Sequence, residues 1–352
     1  MIKRSVVLIL CLALLIPCRI NVSAYNTDSI SARSAVMLEA QNHCVIFEKN
    51  SRERLPMAST TKIMTALIVL ECCSLKDTFT VDERAIGTEG TSAYLQKGDE
   101  LTFEAALYAL LLQSANDVAV ALAYEVSDSI EGFAELMNRK AKELSLDDTH
   151  FKNPSGLPGE DHYTTAYDLA LLTCFCLENN DFYRIVSTKT KTVKISGNER
   201  TFVNHNKLLS LYDGAIGVKT GFTKESGRCL VGACERDGVR LVTVTLSASN
   251  DWQDHMSMFN CGFEQYSSYT LYSEGDFLIS IPVAGSKGSI IATPDGTKSV
   301  CMKKGTRITT RTETASLITT PVTKGDILGY AVFYSDKKEL HRAPLRAISS
   351  SP

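Results

Sequence analysis

The sequence predicts a mixed α/β domain followed by a small all-β domain, and three observations carry that reading. Residues 35–48, "AVMLEAQNHCVIFE", read as a β-hairpin, with two apolar runs around a polar turn at Gln41-Asn42. Helical patterns fill the stretch from about 61 to 185, where "FEAALYALLLQ" and "VAVALAYEV" are the clearest. Strand patterns then return in "GRCLVGACERDGVRLVTVTL", two alternating runs joined by Asp237-Gly238.

Size and charge bound the problem before the elements are taken in order. A chain of 352 residues is long enough for one large domain and a smaller one. A hydrophobic content of 44% with 22% charged residues describes an ordinary globular protein. The formal charge of −3 lacks the basic excess of a nucleic-acid binder.

Residues 1–24 fit a secretory signal peptide, with Lys3 and Arg4, an apolar run from Val6 to Ile16, and Val22-Ser23-Ala24 at the end. The protein is therefore expected to work outside the cytoplasm. Two of the eleven cysteines, Cys11 and Cys18, go with that segment, and the rest show no CxxC. Cys174 and Cys176 lie two apart in a helical stretch and so do not share a face. No zinc-type spacing and no HExxH occur. Neither a metal, another cofactor nor a disulfide framework is expected, and most cysteines read as small buried hydrophobes.

The helix in "MASTTKIMTALIVLE" is apolar on every side from Ile63 to Leu70 except at Thr65, the pattern of a buried helix. In the second strand of the later hairpin, Val242, Val244 and Leu246 share one face, with Leu241, Thr243 and Thr245 on the other. A last helix runs through "DHMSMFNCGFEQYS". The expected division is 25–268 for the α/β domain, 271–335 for the β domain, and 336–352 for a short polar tail. In that tail the aliphatics Leu340, Leu345 and Ile348 are isolated, and Pro344 would break any helix.

Three short motifs carry chemistry. Ser59-Thr60-Thr61-Lys62 is S-x-x-K, which places a serine and a lysine on one face of a helix start. Burial there would lower the lysine pKa until a neutral amine can take the serine proton, and unpaired N–H groups favour developing negative charge. A second S-x-x-K, Ser335 to Lys338, lies in polar surroundings and reads as a solvated charge run. Ser114-Ala115-Asn116 sits between two helical runs, where it can face a cleft or cap a helix. Lys219-Thr220-Gly221 follows an edge-strand pattern, and Gly221 leaves room for a substrate backbone.

Together and in this order, S-x-x-K, S-x-N and K-T-G are the signatures of penicillin-recognising serine enzymes. With "LLLQSANDVAVALA", "THFKNPSGLPGEDHYTTAYDLALL" and "DGAIGVKTGFTKESGRCLVGACERDGVRLVTVTL", the chain resembles the D-alanyl-D-alanine carboxypeptidases of low molecular mass, peptidase family S11. The resemblance covers roughly residues 30 to 270, and the β-rich segment behind it resembles the accessory domain of that family. It implies a β-lactamase/transpeptidase-like catalytic domain, with a five-stranded sheet flanked by helices. It implies Ser59 as the acylated nucleophile, Lys62 as its proton acceptor, and Ser114 and Asn116 as proton relay and substrate clamp. Lys219 and Thr220 would bind the terminal carboxylate, and the N–H groups of Ser59 and Phe222 would form the oxyanion hole beside Gly221. Some relatives have histidine where this chain has Phe222, and "SASNDWQDHMSMF" lacks an arginine that some relatives carry in this region.

The expected function is a secreted or wall-associated serine carboxypeptidase acting on peptidoglycan stem peptides that end in D-Ala-D-Ala. β-Lactam antibiotics would be covalent inhibitors, and membrane association at most weak. The alternatives are a β-lactamase, a DD-endopeptidase using the same residues, or an idle penicillin sensor. Class A β-lactamases need an extra glutamate, and Glu160 and Glu178 stand in the wrong surroundings. Intact Ser59, Lys62, Ser114 and Lys219 argue against an idle sensor.

Overall fold

The computed structural model describes residues 29–284 and 288–350, so the signal-peptide reading of 1–24 lies outside the described residues. Strands β1 (Ser34–Glu39) and β2 (Cys44–Lys49) form the expected hairpin. A 3₁₀ turn, Ala58–Thr61, leads into helix α1 (Lys62–Cys72). Short strands β3 (Thr78–Thr80) and β4 (Glu100–Thr102) pair ahead of α2 (Phe103–Tyr108), a π-helical turn (Ala109–Gln113) and α3 (Asn116–Ser127). Helices α4 (Ile130–Glu143), α5 (Ala166–Leu177) and α6 (Asn180–Val186) follow. The hairpin of β5 (Thr190–Ile195) and β6 (Asn198–Val203) was not legible in the sequence, because its exposed faces are polar. After the single turn α7 (Leu208–Leu211) come β7 (Ala215–Thr223), β8 (Gly227–Arg236) and β9 (Val239–Ala248), then α8 (Asp251–Gln265).

The main sheet runs β2-β1-β9-β8-β7, and every pairing in it is antiparallel. Alternation splits it between two cores. Val36, Leu38, Val231, Val242, Val244 and Leu246 pack toward the helical body, whereas Met37, Leu230 and Leu241 pack against Met258 and Phe259 of α8. Thr243 and Thr245, on the α8 side of β9, place their hydroxyls 2.7 and 3.0 Å from the ring nitrogens of His255. At the turn between β8 and β9, Asp237 and Gly238 both have positive φ (49 and 74°), the geometry of a type I′ hairpin. Helix α1 is buried from Lys62 to Val69, as its unbroken apolar circumference requires.

The second domain holds β10 (Tyr266–Tyr272), β11 (Ile279–Pro282), β12 (Ser289–Thr293), β13 (Lys298–Lys303), β14 (Ile308–Thr314), β15 (Ile327–Ser335) and β16 (Lys338–Ala347). It forms a five-stranded sheet in the order β11-β12-β16-β15-β14 and a β10-β13 ribbon. The expected polar tail at 336–352 is corrected here: most of it is β16, an inner strand of that sheet. The charge run at Ser335–Lys338 is its hairpin turn, with Asp336 and Lys337 at φ 46 and 69°. Ala343, Leu345 and Ala347 alternate into the domain's core beside Ala331 and Phe333. Pro344 is tolerated because β12 pairs with β16 only at Arg346 and Ala347, so no ladder partner is lost on that side. Among the described residues, no helix is long and apolar enough to cross a membrane.

Candidate active site

The 3₁₀ turn that carries Ser59 is clamped from two sides. On one side lies the loop 153–157, where a Cβ added to Gly156 would sit 1.9 Å from the Ala58 carbonyl oxygen. On the other runs β7, where a Cβ on Gly221 would meet Met57 O and Ser59 N, each at 3.1 Å. Ala58 itself is left-handed (φ 47°), a conformation that costs a non-glycine residue energy and is held by its surroundings. The Thr60 hydroxyl donates to Met57 O at 2.6 Å and the Thr61 hydroxyl to Ala58 O at 2.8 Å, so the turn's side chains staple its own backbone. Thr61 Oγ1 also lies 2.8 Å from His162 Nε2. The N–H of Lys152 donates to Nδ1 of that ring at 3.0 Å, so Nε2 carries the proton and donates to Thr61. Burial keeps His162 neutral, with a pKa of about 4.

Lys62, at the first position of α1, is fully buried. Its Nζ lies 2.9 Å from Ser59 Oγ and 2.6 Å from Asn116 Oδ1, and it also donates to the Ser155 carbonyl. Burial, and after it the charge of Lys219, hold the amine well below the ordinary lysine value. The consequence is geometric. Asn116 Oδ1 and Ser155 O can only accept, so whenever the amine is neutral they take its two protons and its lone pair faces the Ser59 hydroxyl.

The S-x-N segment closes the π-helical turn. Ser114 is left-handed (φ 67°) and buried, and Asn116 opens α3. Asn116 does not cap the helix. Its Nδ2 donates to Glu89 O at 2.6 Å, which fixes the amide with Oδ1 toward Lys62. The next residue, Asp117, accepts from the N–H groups of Ala93 and Leu95 and from the Ser92 hydroxyl, tying the 89–95 loop beside the site.

β7 is an edge strand, as the sequence around K-T-G predicts. Lys219 is buried, donates to Thr220 O at 2.9 Å, and has its pKa lowered to about 7 by burial. Thr220 is half-buried, and the Phe222 side chain is 67% exposed. The structure thus joins Ser59, Lys62 and Asn116 by hydrogen bonds, sets Gly221 against the Ser59 backbone, and couples Lys219 to Lys62 through charge. Sequence reasoning missed the loop Asn153-Pro154-Ser155-Gly156. Asn153 Oδ1 accepts from the N–H groups of Ser155 and Gly156, shaping the carbonyl that holds Lys62. Its signal was present in the Asn-Pro and Ser-Gly turn pairs.

A serine hydroxyl beside a buried lysine amine, at the foot of an antiparallel edge strand, is the arrangement of a serine acyl-transfer enzyme with a lysine base. Residues 21–250 match the D-alanyl-D-alanine carboxypeptidase profile of peptidase family S11, and residues 266–350 match the C-terminal domain of penicillin-binding protein 5. The chain belongs to the D-alanyl-D-alanine carboxypeptidase family and is a serine-type hydrolase of that class. It is 33% identical over 329 residues to D-alanyl-D-alanine carboxypeptidase DacF of Bacillus subtilis, covering 90% of this chain and 85% of the relative. The solved DD-transpeptidase of Streptomyces K15 is 32% identical with a TM-score of 0.64, over 67% of this chain and 98% of that one. Penicillin-binding protein 5 of Haemophilus influenzae, at 24% identity, shares the fold with a TM-score of 0.70, over 91% of this chain and 97% of that one.

Proposed function

We propose that Ser59 and Lys62 carry out the acyl transfer. The Ser59 oxygen attacks the carbonyl carbon between the last two D-alanines of a peptidoglycan stem peptide, and its proton passes to the neutral Lys62 amine. The resulting oxyanion is held by the N–H groups of Ser59 and Phe222. When the C–N bond breaks, the departing D-alanine amine takes a proton delivered from Lys62 by way of the Ser114 hydroxyl. Water then hydrolyses the ester on Ser59, returning the enzyme. Lys219 and Thr220 bind the terminal carboxylate, and Asn116 orients both Lys62 and substrate.

The observation that carries this reading is the filled shell of Lys62 Nζ, which leaves only the serine-facing position for a lone pair. The contact of Gly221 with Ser59 N supports the oxyanion assignment, because it brings the next N–H on β7 alongside the nucleophile. Secretion through residues 1–24 and work in the cell wall belong to the same proposal, as does covalent capture by β-lactams. Release of free D-alanine from a D-Ala-D-Ala peptide, together with labelling by a fluorescent penicillin, tests it. Undiminished labelling of Ser59→Ala would remove Ser59 from its role.

A further inference from the structure

We propose that Tyr94 is a fixed aromatic contact for the part of the stem peptide that precedes its two D-alanines, an inference that rests on the carboxypeptidase reading above. The Tyr94 side chain is 77% exposed, and its backbone is left-handed (φ 57°). A lone exposed aromatic is ordinary on a protein surface. An exposed aromatic held at positive φ is not, because a bulky residue there stores strain that the surrounding fold must offset.

The bonds that hold this conformation flank it on both sides. Ala93 and Leu95 are buried, and their N–H groups donate to the Asp117 carboxylate at 2.9 and 3.0 Å. The Ser92 hydroxyl donates to the same carboxylate at 2.7 Å and accepts from Tyr94 N at 2.8 Å. From β6, Arg200 Nη1 donates to the carbonyls of Ala93 and Tyr94. The backbone of the tip is thus fixed from two elements while its ring is turned out into solvent.

The same loop is built onto Asn116. The N–H of Asn116 donates to Thr91 O at 2.7 Å, its Nδ2 donates to Glu89 O at 2.6 Å, and a Cβ on Gly90 would lie 2.7 Å from that Nδ2. Tyr94 follows Thr91 by three residues, so its Cα stands within about 11 Å of that anchor even at full extension. An extended peptide advances about 3.3–3.6 Å per residue, so a chain running from Ser59 past Asn116 meets the ring two or three residues before the scissile bond. The leaving D-alanine is assigned to Lys219 and Thr220 on β7, which leaves the wall tied to Asn116 for the acyl part. A tyrosine suits that place: its ring covers methyl and methylene groups, its hydroxyl can bond a peptide group, and it loses little freedom on binding.

The test compares kcat/KM for D-alanine release from a complete stem pentapeptide with the acylation rate by penicillin, which mimics only the D-Ala-D-Ala end. Tyr94→Ala is expected to lower the ratio of the two by about tenfold, the scale of one truncated aromatic contact. Tyr94→Phe keeps the ring and should keep most of the ratio. Tyr94→Gly relieves the positive φ while removing the ring, so a fall in its ratio is not a folding defect. An unchanged ratio in the alanine and glycine variants, with both reactions slowed together or neither slowed, overturns the proposal and leaves Tyr94 as a loop residue. Wild-type protein that takes up penicillin but releases no D-alanine would instead overturn the carboxypeptidase reading, so the two failures are distinguishable.

Discussion

Gly156 and Ala58 approach so closely that a Cβ on the glycine would lie 1.9 Å from the alanine carbonyl oxygen and 2.9 Å from Ser59 N. Gly156 also has φ +86°, so a side chain there is strained twice over. Gly156→Ala should push the 3₁₀ turn off β7, costing about 1–3 kcal/mol of stability by overpacking and slowing acylation at least about tenfold through the displaced nucleophile. Gly159→Ala, whose Cβ would find nothing nearer than Lys152 Cβ at 4.0 Å, is the control. Denaturant unfolding and penicillin labelling of the two variants decide the matter, and equal behaviour would show that the clamp does not position Ser59.

Lys62→Arg replaces the amine beside Ser59 with a guanidinium. A guanidinium does not deprotonate at working pH, so the lone pair that faces the hydroxyl is lost. Acylation should fall by about 10²-fold or more, the usual contribution of general-base catalysis. Stopped-flow acylation measures this, and a wild-type rate in the arginine variant would assign the base elsewhere.

The second lysine sets the pH profile of the first. In the proposed mechanism acylation requires neutral Lys62, so its rate is expected to fall on the acid side as that amine takes up a proton. Lys219 contributes to keeping the Lys62 pKa low, because two buried positive charges repel. Lys219→Met removes that repulsion, raises the Lys62 pKa, and should move the acid limb of the acylation profile to higher pH. A limb that stays in place, or moves to lower pH, contradicts the coupling.

Two buried histidines make the fold acid-sensitive. His162 and His255 have their pKa values lowered to about 4 and about 3, in both cases chiefly by burial. The unfolded chain binds these protons from about pH 6.5 downward, whereas the native state binds them only near its own lower values. Stability is therefore complete above that range and falls with pH across it, each ring contributing up to about 1.4 kcal/mol per pH unit. Urea unfolding between pH 7 and pH 4 measures the slope. NMR resonances of both rings that shift near pH 6.5 in the native protein would contradict it.

Leu345 separates a strand from a tail. It is fully buried in the second domain beside Phe333, whereas Ile348 is 44% exposed. Leu345→Ala should cost about 2–5 kcal/mol, as for other buried leucines, while Ile348→Ala should stay within about 0.5 kcal/mol. Thermal unfolding of the two variants gives the comparison, and a neutral Leu345→Ala would mean that 338–347 does not hold the sheet together.

Much of the site was legible because its signals are local. Ser59 and Lys62 lie three apart at a helix start, so helical geometry alone puts amine and hydroxyl together. The same is true of the Asp237-Gly238 turn and of the two-sided alternation in β9, which assigns Val242, Val244 and Leu246 to one core and Leu241 to the other. The family was readable from the order of three motifs, and residues 21–250 and 266–350 match its two profiles.

What the sequence determined by itself was therefore the pairing of the Ser59 hydroxyl with the Lys62 amine, the family, and the edge character of β7. Tertiary structure alone decided which groups complete the shell around Lys62. Asn116 is 54 positions and Ser155 is 93 positions from the lysine they hold, and a backbone carbonyl has no residue type to betray it. It also decided that residues 338–347 form an inner strand. Three inward aliphatics among charges carry too little alternation to be read locally, and only pairing with β15 gives them a core to enter. In both cases the deciding term is a contact between segments far apart in the chain, which no local pattern encodes.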